Sequence, residues 1–139
     1  MHVVSGSILH IACKAIELFS NPSELEEKYL YLLSDCGNSL IKQTGKFGMG
    51  REIRGVPLGL VILAGRNQYN HIEAGAKLNP LNKNVFEALG KGHDYGQDIL
   101  DPAFDLDNAG LVSYSSNIRG VLGWNSYESY RADMKELLS

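Results

Sequence analysis

Apolar residues recur along most of this chain with the period of a helix. Val3, Val4, Ile8, Ile11, Ala12, Ala15, Ile16 and Phe19 fall at helical spacing and predict a first helix over residues 3–19. The stretch SNPSELEE then signals a restart, with Asn21 as cap and Pro22 at the first helical position. Glu24, Glu26 and Glu27 suit the positive end of that helix dipole. Leu25, Tyr29, Leu32, Leu33, Cys36, Leu40 and Ile41 carry one apolar face to about residue 43, with Gly37 a weak point. The Gly-rich segment TGKFGMGREIRGVP reads as a loop, and Pro57 starts a third helix.

Asn79-Pro80 opens a short helix that stops at Gly90 or Gly92. Residues 93–110 are rich in Asp and Gly and read as irregular, with room for a helical turn. The pattern over 111–124 fits helix or strand, and Asn125 with Glu128 resembles a capping box opening a last helix through Leu138. No Asn-Gly hairpin signal lies between alternating apolar positions. The prediction is an all-α bundle of about five helices in one domain, 1–139.

The third helix raises a question. In GLVILAGRNQYNHIEAG an apolar run continues, without a turn, into a cluster of hydrogen-bonding groups. At about 100° per residue, Arg66, Asn70, Asn67 and His71 share one arc, while Leu58, Val61, Ile62, Tyr69 and Ile72 gather opposite. Leu60, Leu63 and Ala64 extend the polar side towards the N-terminus. Two explanations stand: a partner surface beside a site, or cover from another part of this chain.

Composition narrows the chemistry. The net charge of −3 over 139 residues excludes a strongly basic nucleic-acid coater, so any phosphate binding must come from a local cluster. Cys13 and Cys36 form no metal-ligand spacing and read as buried free thiols of a reducing compartment. The N-terminal stretch lacks a basic region and a sustained apolar core, so neither a signal peptide nor a membrane span is expected, and the expected location is cytoplasmic.

The polar arc has a coherent chemistry. Arginine presents a planar fork of donors to phosphate oxygens, histidine exchanges a proton near neutrality, and asparagines orient both without adding charge. That set suits cleavage of an RNA phosphodiester without metal, His71 acting on the ribose 2′-hydroxyl or the leaving oxygen and Arg66 on the phosphorane charge. Glu73 is the only acid nearby, which is not the carboxylate cluster of a two-metal nuclease.

RNQYNH resembles the signature of the HEPN (higher eukaryotes and prokaryotes nucleotide-binding) superfamily: Arg, a polar residue, then His after a short spacing on a late helix of an α-bundle. The resemblance rests on six residues, of which Arg66, Asn67 and His71 match the motif. It implies a metal-independent endoribonuclease without cofactor, a homodimer in which two Arg/His pairs meet, and RNA as substrate. Members serve as toxins or in phage defence, which would bring an antitoxin protein as possible partner. Others have lost catalysis and only bind nucleotides or proteins. Glu73 stands where members controlled by adenylylation carry Tyr, which argues against that control here.

Further candidates are weaker. Asn70 lies on the same arc and is a candidate substrate contact. Lys46, Arg51 and Arg54, with Lys42, crowd the segment before the motif helix and could supply local positive potential for RNA; the competing reading is a flexible solvated turn. His93, Asp94, Asp98, Asp101, Asp105 and Asp107 lack calcium-loop spacing and read as a surface loop. Trp124, Tyr127, Tyr130, Met134 and Leu137 fit core packing or a dimer seam better than a base-stacking platform.

Overall fold

The computed structural model describes residues 2–21, 23–74, 78–91, 100–108, 110–111 and 113–139, without the side chains of residues 2–3 and 71–74. The chain forms an all-α bundle. Its α-helices are α1 (His2–Phe19), α2 (Asn38–Phe47), α3 (Leu58–Ala74), α4 (Pro80–Gly90), α5 (Ser115–Leu122) and α6 (Tyr127–Leu138). A 3-10 helix, Glu27–Leu33, precedes α2, and a two-stranded hairpin, β1 (Glu52–Ile53) and β2 (Val56–Pro57), precedes α3.

Helix α3 is the hub, packed by α1, α2, α4, α5 and the hairpin. Leu58, Leu60, Val61, Ile62, Leu63 and Ala64 are all buried. Of the two explanations for Leu60 and Leu63, cover from the rest of this chain is the one that holds: the surrounding helices enclose the first half of α3 on every side. A helix apolar all round marks a core position, and the wheel alone could not say which neighbours close it.

The second predicted helix is also corrected. Helical structure begins at Glu27 rather than residue 22 and breaks before α2; Pro22 lies outside the described residues. Tyr29 and Leu32, three apart, are the buried pair of the 3-10 helix, whose three-residue turn stacks them on one face. Asp35 adopts a left-handed φ of 62°, which ends the element. From α4, Asn84 Nδ2 donates to the carbonyls of Leu32 and Ser34, each at 2.8 Å, and so satisfies the end of that element.

The Gly-rich segment is not a loose loop. Thr44–Phe47 belong to α2, and the strands pair Ile53 with Val56 around Arg54-Gly55. Both turn residues have positive φ, 49° and 83°, the backbone of a type I′ hairpin turn. Arginine is a poor substitute for the usual Asn at that position, at a cost of roughly 1–2 kcal/mol, so the sequence carried no hairpin signal. Tyr29 Oη donates to Glu52 Oε1 (3.0 Å), and Tyr31 Oη donates to the Gly55 carbonyl.

Later elements agree better. Asn79 caps α4 by accepting from Asn82 N, with Pro80 at the first position, as expected. Within the span 111–124, where helix and strand both fit the pattern, the described element is the helix α5, Ser115–Leu122, which ends on Gly123 at φ 73°. The α6 capping box is Ser126 with Ser129, one residue beyond the expected Asn125 and Glu128. Cys13 is buried and Cys36 half-buried, both free thiols. Among the described residues no helix is long and apolar enough to cross a membrane.

Candidate functional site

The site is built where α3 leaves the core. Close packing fixes its position: a methyl group on Gly65 would lie 3.0 Å from both Ile118 Cγ2 and Leu9 Cδ1, and one on Gly6 would strike the Tyr69 ring at 2.5 Å. Glycine at these two points lets α1, α3 and α5 approach closely at the level of the polar arc. Gln68, buried, accepts from Tyr114 N at 3.1 Å and ties α3 to the start of α5.

Arg66 is the central group. Its side chain is 18% exposed and Nη2 donates to Glu17 Oε1 on α1 at 3.4 Å. Charge-assisted bonds ordinarily close to about 2.7–2.9 Å, so this contact is long. The buried Nε finds no hydrogen-bond partner among the described residues. Lys14 Nζ lies 3.5 Å from Glu17 Oε2, so the carboxylate divides between two cations. The guanidinium also lies close enough to Cys13 to lower its pKa, but burial dominates and pushes the thiol up to about 11, leaving it protonated.

Asn67 is half-buried and Asn70 exposed beside Arg66. His71 continues α3, and its side chain lies outside the described residues. The structure thus brings Arg66, Asn67 and Asn70 onto the last turns of one helix and adds Glu17 from α1. Glu17 was missed because its partner is 49 positions away and nothing local links the two.

The three basic candidates of the hairpin region are not gathered there. Arg51 Nε and Nη2 donate to Asp133 Oδ1 and Oδ2, both at 2.9 Å, and Nη2 also reaches the Leu122 carbonyl. Burial pushes the Asp133 carboxyl up, but donation from Arg51 and Trp124 outweighs it and holds the group below its ordinary value. Arg54 Nη1 donates to the Leu89 carbonyl (2.7 Å) and Asp101 Oδ2 (3.0 Å), with its guanidinium 5.3 Å from the Phe104 ring centre. Lys46 Nζ donates to the Ser20 carbonyl at 2.9 Å. These cations hold the fold together and point to no common cleft. Asp101, read as a surface-loop acid, is 6% exposed as the counter-ion of Arg54. Asp105 is partly exposed and Asp107 exposed, while His93, Asp94 and Asp98 lie outside the described residues.

No protein-family model, curated protein or solved structure matches this chain.

Proposed function

We propose that the chain is a metal-independent endoribonuclease that acts as a homodimer on single-stranded RNA, with Arg66, Asn67 and His71 as its chemical groups. The observation that carries this reading is Arg66: a largely buried guanidinium with one long ion pair and a buried Nε lacking a partner among the described residues. An unsatisfied buried donor costs free energy that folding alone would select against, and a guanidinium that turns away from its long contact with Glu17 can offer Nε and Nη2 together to a phosphate. Arg66 then stabilises the phosphorane, Asn67 orients the attacking or proton-exchanging group, and Asn70 is the nearest exposed substrate contact. His71 removes the 2′-hydroxyl proton as that oxygen attacks phosphorus. The bond to the 5′ oxygen breaks, and this oxygen takes a proton, leaving a 2′,3′-cyclic phosphate and a 5′-hydroxyl.

In the cell such an activity suits a cytoplasmic toxin or phage-defence effector restrained by an antitoxin protein. The test is cleavage of single-stranded RNA with EDTA present. His71→Ala should lose roughly 10²–10⁴-fold in rate at unchanged oligomeric size, while replacing the exposed His10 by Ala should leave the rate intact. Equal cleavage by wild type and His71→Ala would sink the assignment.

A second reading draws on the same contact. Glu17 already places a carboxylate oxygen against Arg66, and a permanent tie there would make the domain a catalytically silent module that binds a nucleotide or a protein. It predicts binding without cleavage by wild type.

A further inference from the structure

Helix α1 is apolar on two faces, and only one is used. Leu9, Ala12, Cys13 and Ile16 are wholly buried against the bundle. Val4, Ile8, Ile11, Ala15 and Leu18 form a second stripe, spaced four, three, four and three, the interval of a helix–helix seam. Within it Val4, Ile11 and Leu18 are 46%, 60% and 61% exposed. Beside it runs a groove of about 460 Å³ walled by Ile8, Ile11, Trp124, Tyr127 and Tyr130. Phe19 and Tyr127, on the groove side of the stripe, are 67% and 68% exposed.

We infer that this face is the seam of an isologous homodimer in which α1 packs antiparallel on α1 of a second copy. The area is right for self-association: the five exposed side chains present on the order of 600 Å², against ~800 Å² per partner in a standard interface. The stripe carries no charge. Lys14, the charged residue bordering it, has Glu17, shared with Arg66, as counter-ion at 3.5 Å, which lessens its repulsion of a second copy. A two-fold axis at the level of residue 13 sets Ile8 opposite Leu18 of the partner subunit and Ile11 opposite the partner's Ala15. That register carries Phe19 to the partner's groove. It also brings the partially negative C-terminal end of the partner's α1 to Arg119, on the groove wall, which has no ion-pair partner among the described residues.

The antiparallel sense has a consequence for the candidate site. On α1, Glu17 lies roughly 100–140° around the helix from Val4 and Ile11, past Ser7 and Lys14, on the flank away from the groove. An antiparallel two-fold keeps like flanks on one side, so both Arg66–Glu17 sets line the same side of the seam and form one shared cleft. That consequence rests on the ribonuclease reading; the seam itself does not.

Size measurement by light scattering and cysteine cross-linking test it together. Wild type should be a dimer and Ile11→Glu a monomer with unchanged circular dichroism. In a Cys36→Ser background, Ile8→Cys protomers mixed with Leu18→Cys protomers should cross-link across the seam, and neither should do so alone. A monomeric wild type, a dimer indifferent to Ile11→Glu, or self-cross-linking of Ile8→Cys alone would each overturn the proposal. A dimer with the expected cross-links but no RNA cleavage would leave the seam standing and remove only the ribonuclease reading.

Discussion

The hairpin corner and the polar end of α3 use the same residue type to opposite ends. Arg51 and Arg54 are firmly paired, meeting Asp133 in two parallel bonds of 2.9 Å and Asp101 at 3.0 Å, each with a backbone carbonyl in addition. Arg66 has one contact of 3.4 Å and a buried Nε without a partner among the described residues. In sequence the first pair is a weaker candidate for local positive potential, set against a flexible solvated turn, because basic residues crowd a Gly-rich segment. Their surroundings say otherwise. A guanidinium already held by a carboxylate and a carbonyl has a weaker claim on a phosphate, whereas one with a single long contact and an unsatisfied donor has more to gain from an anion. Availability, not charge count, is what sets Arg66 apart from these structural cations.

The comparison breaks most visibly in stability. Arg54→Ala leaves the Asp101 carboxylate buried without its counter-ion, and breaking such a pair costs roughly 3–5 kcal/mol. For a chain of this size that is on the order of 10 °C in thermal midpoint. Arg66→Ala removes a long contact to a carboxylate that retains Lys14, and it abolishes an unsatisfied donor, so the expected loss is below about 1 kcal/mol. Thermal unfolding of the two variants side by side decides the matter. A loss at Arg66 equal to that at Arg54 would make Arg66 a structural tie and favour the silent module.

This contrast also explains what was legible in the sequence. Helix α1, the Asn79-Pro80 start of α4 and the all-α class followed from periodicity and capping, which are local and obey fixed spacings. The 3-10 element and the hairpin did not. Tyr29 and Leu32 serve a 3.0-residue turn as well as a 3.6-residue one, and an Arg in a left-handed turn is held there by Leu89 and Asp101, some 35 and 47 positions away. The polar arc of α3 was readable as an arrangement on one helix. That its N-terminal half is enclosed, and that Glu17 meets Arg66, depend on how α1 crosses α3, which no local pattern encodes.

A smaller effect sharpens the structural side. The folded pKa of Asp133 lies below its unfolded one, so its ionised form contributes stability that is fully present above the ordinary value of 3.8 and is lost as pH falls through the depressed folded value. Asp133→Asn, which cannot titrate, should lie well below wild type in thermal midpoint at neutral pH, and the gap should narrow as pH drops below that ordinary value. A gap that stays constant down to complete acid unfolding would show that the Arg51–Asp133 pair contributes geometry rather than charge.

The smallest effect tests the functional side most directly. Glu17→Gln keeps the shape of the side chain and a carbonyl oxygen for Arg66 Nη2, and removes the negative charge that competes with phosphate. Folding should change little, since an ion pair at 3.4 Å with a one-third exposed carboxylate contributes a fraction of a kcal/mol. Binding should change in the other direction. In a His71→Ala background, which prevents turnover, affinity for single-stranded RNA should rise a few-fold, the equivalent of that same ~0.2–1 kcal/mol, and the gain should shrink as salt screens the charge. Fluorescence anisotropy at two ionic strengths reads it. If the guanidinium waits for a phosphate, its present carboxylate is a competitor and its removal helps; if the carboxylate is the intended partner, its removal gains nothing for RNA and Arg66 belongs with Arg51 and Arg54 after all.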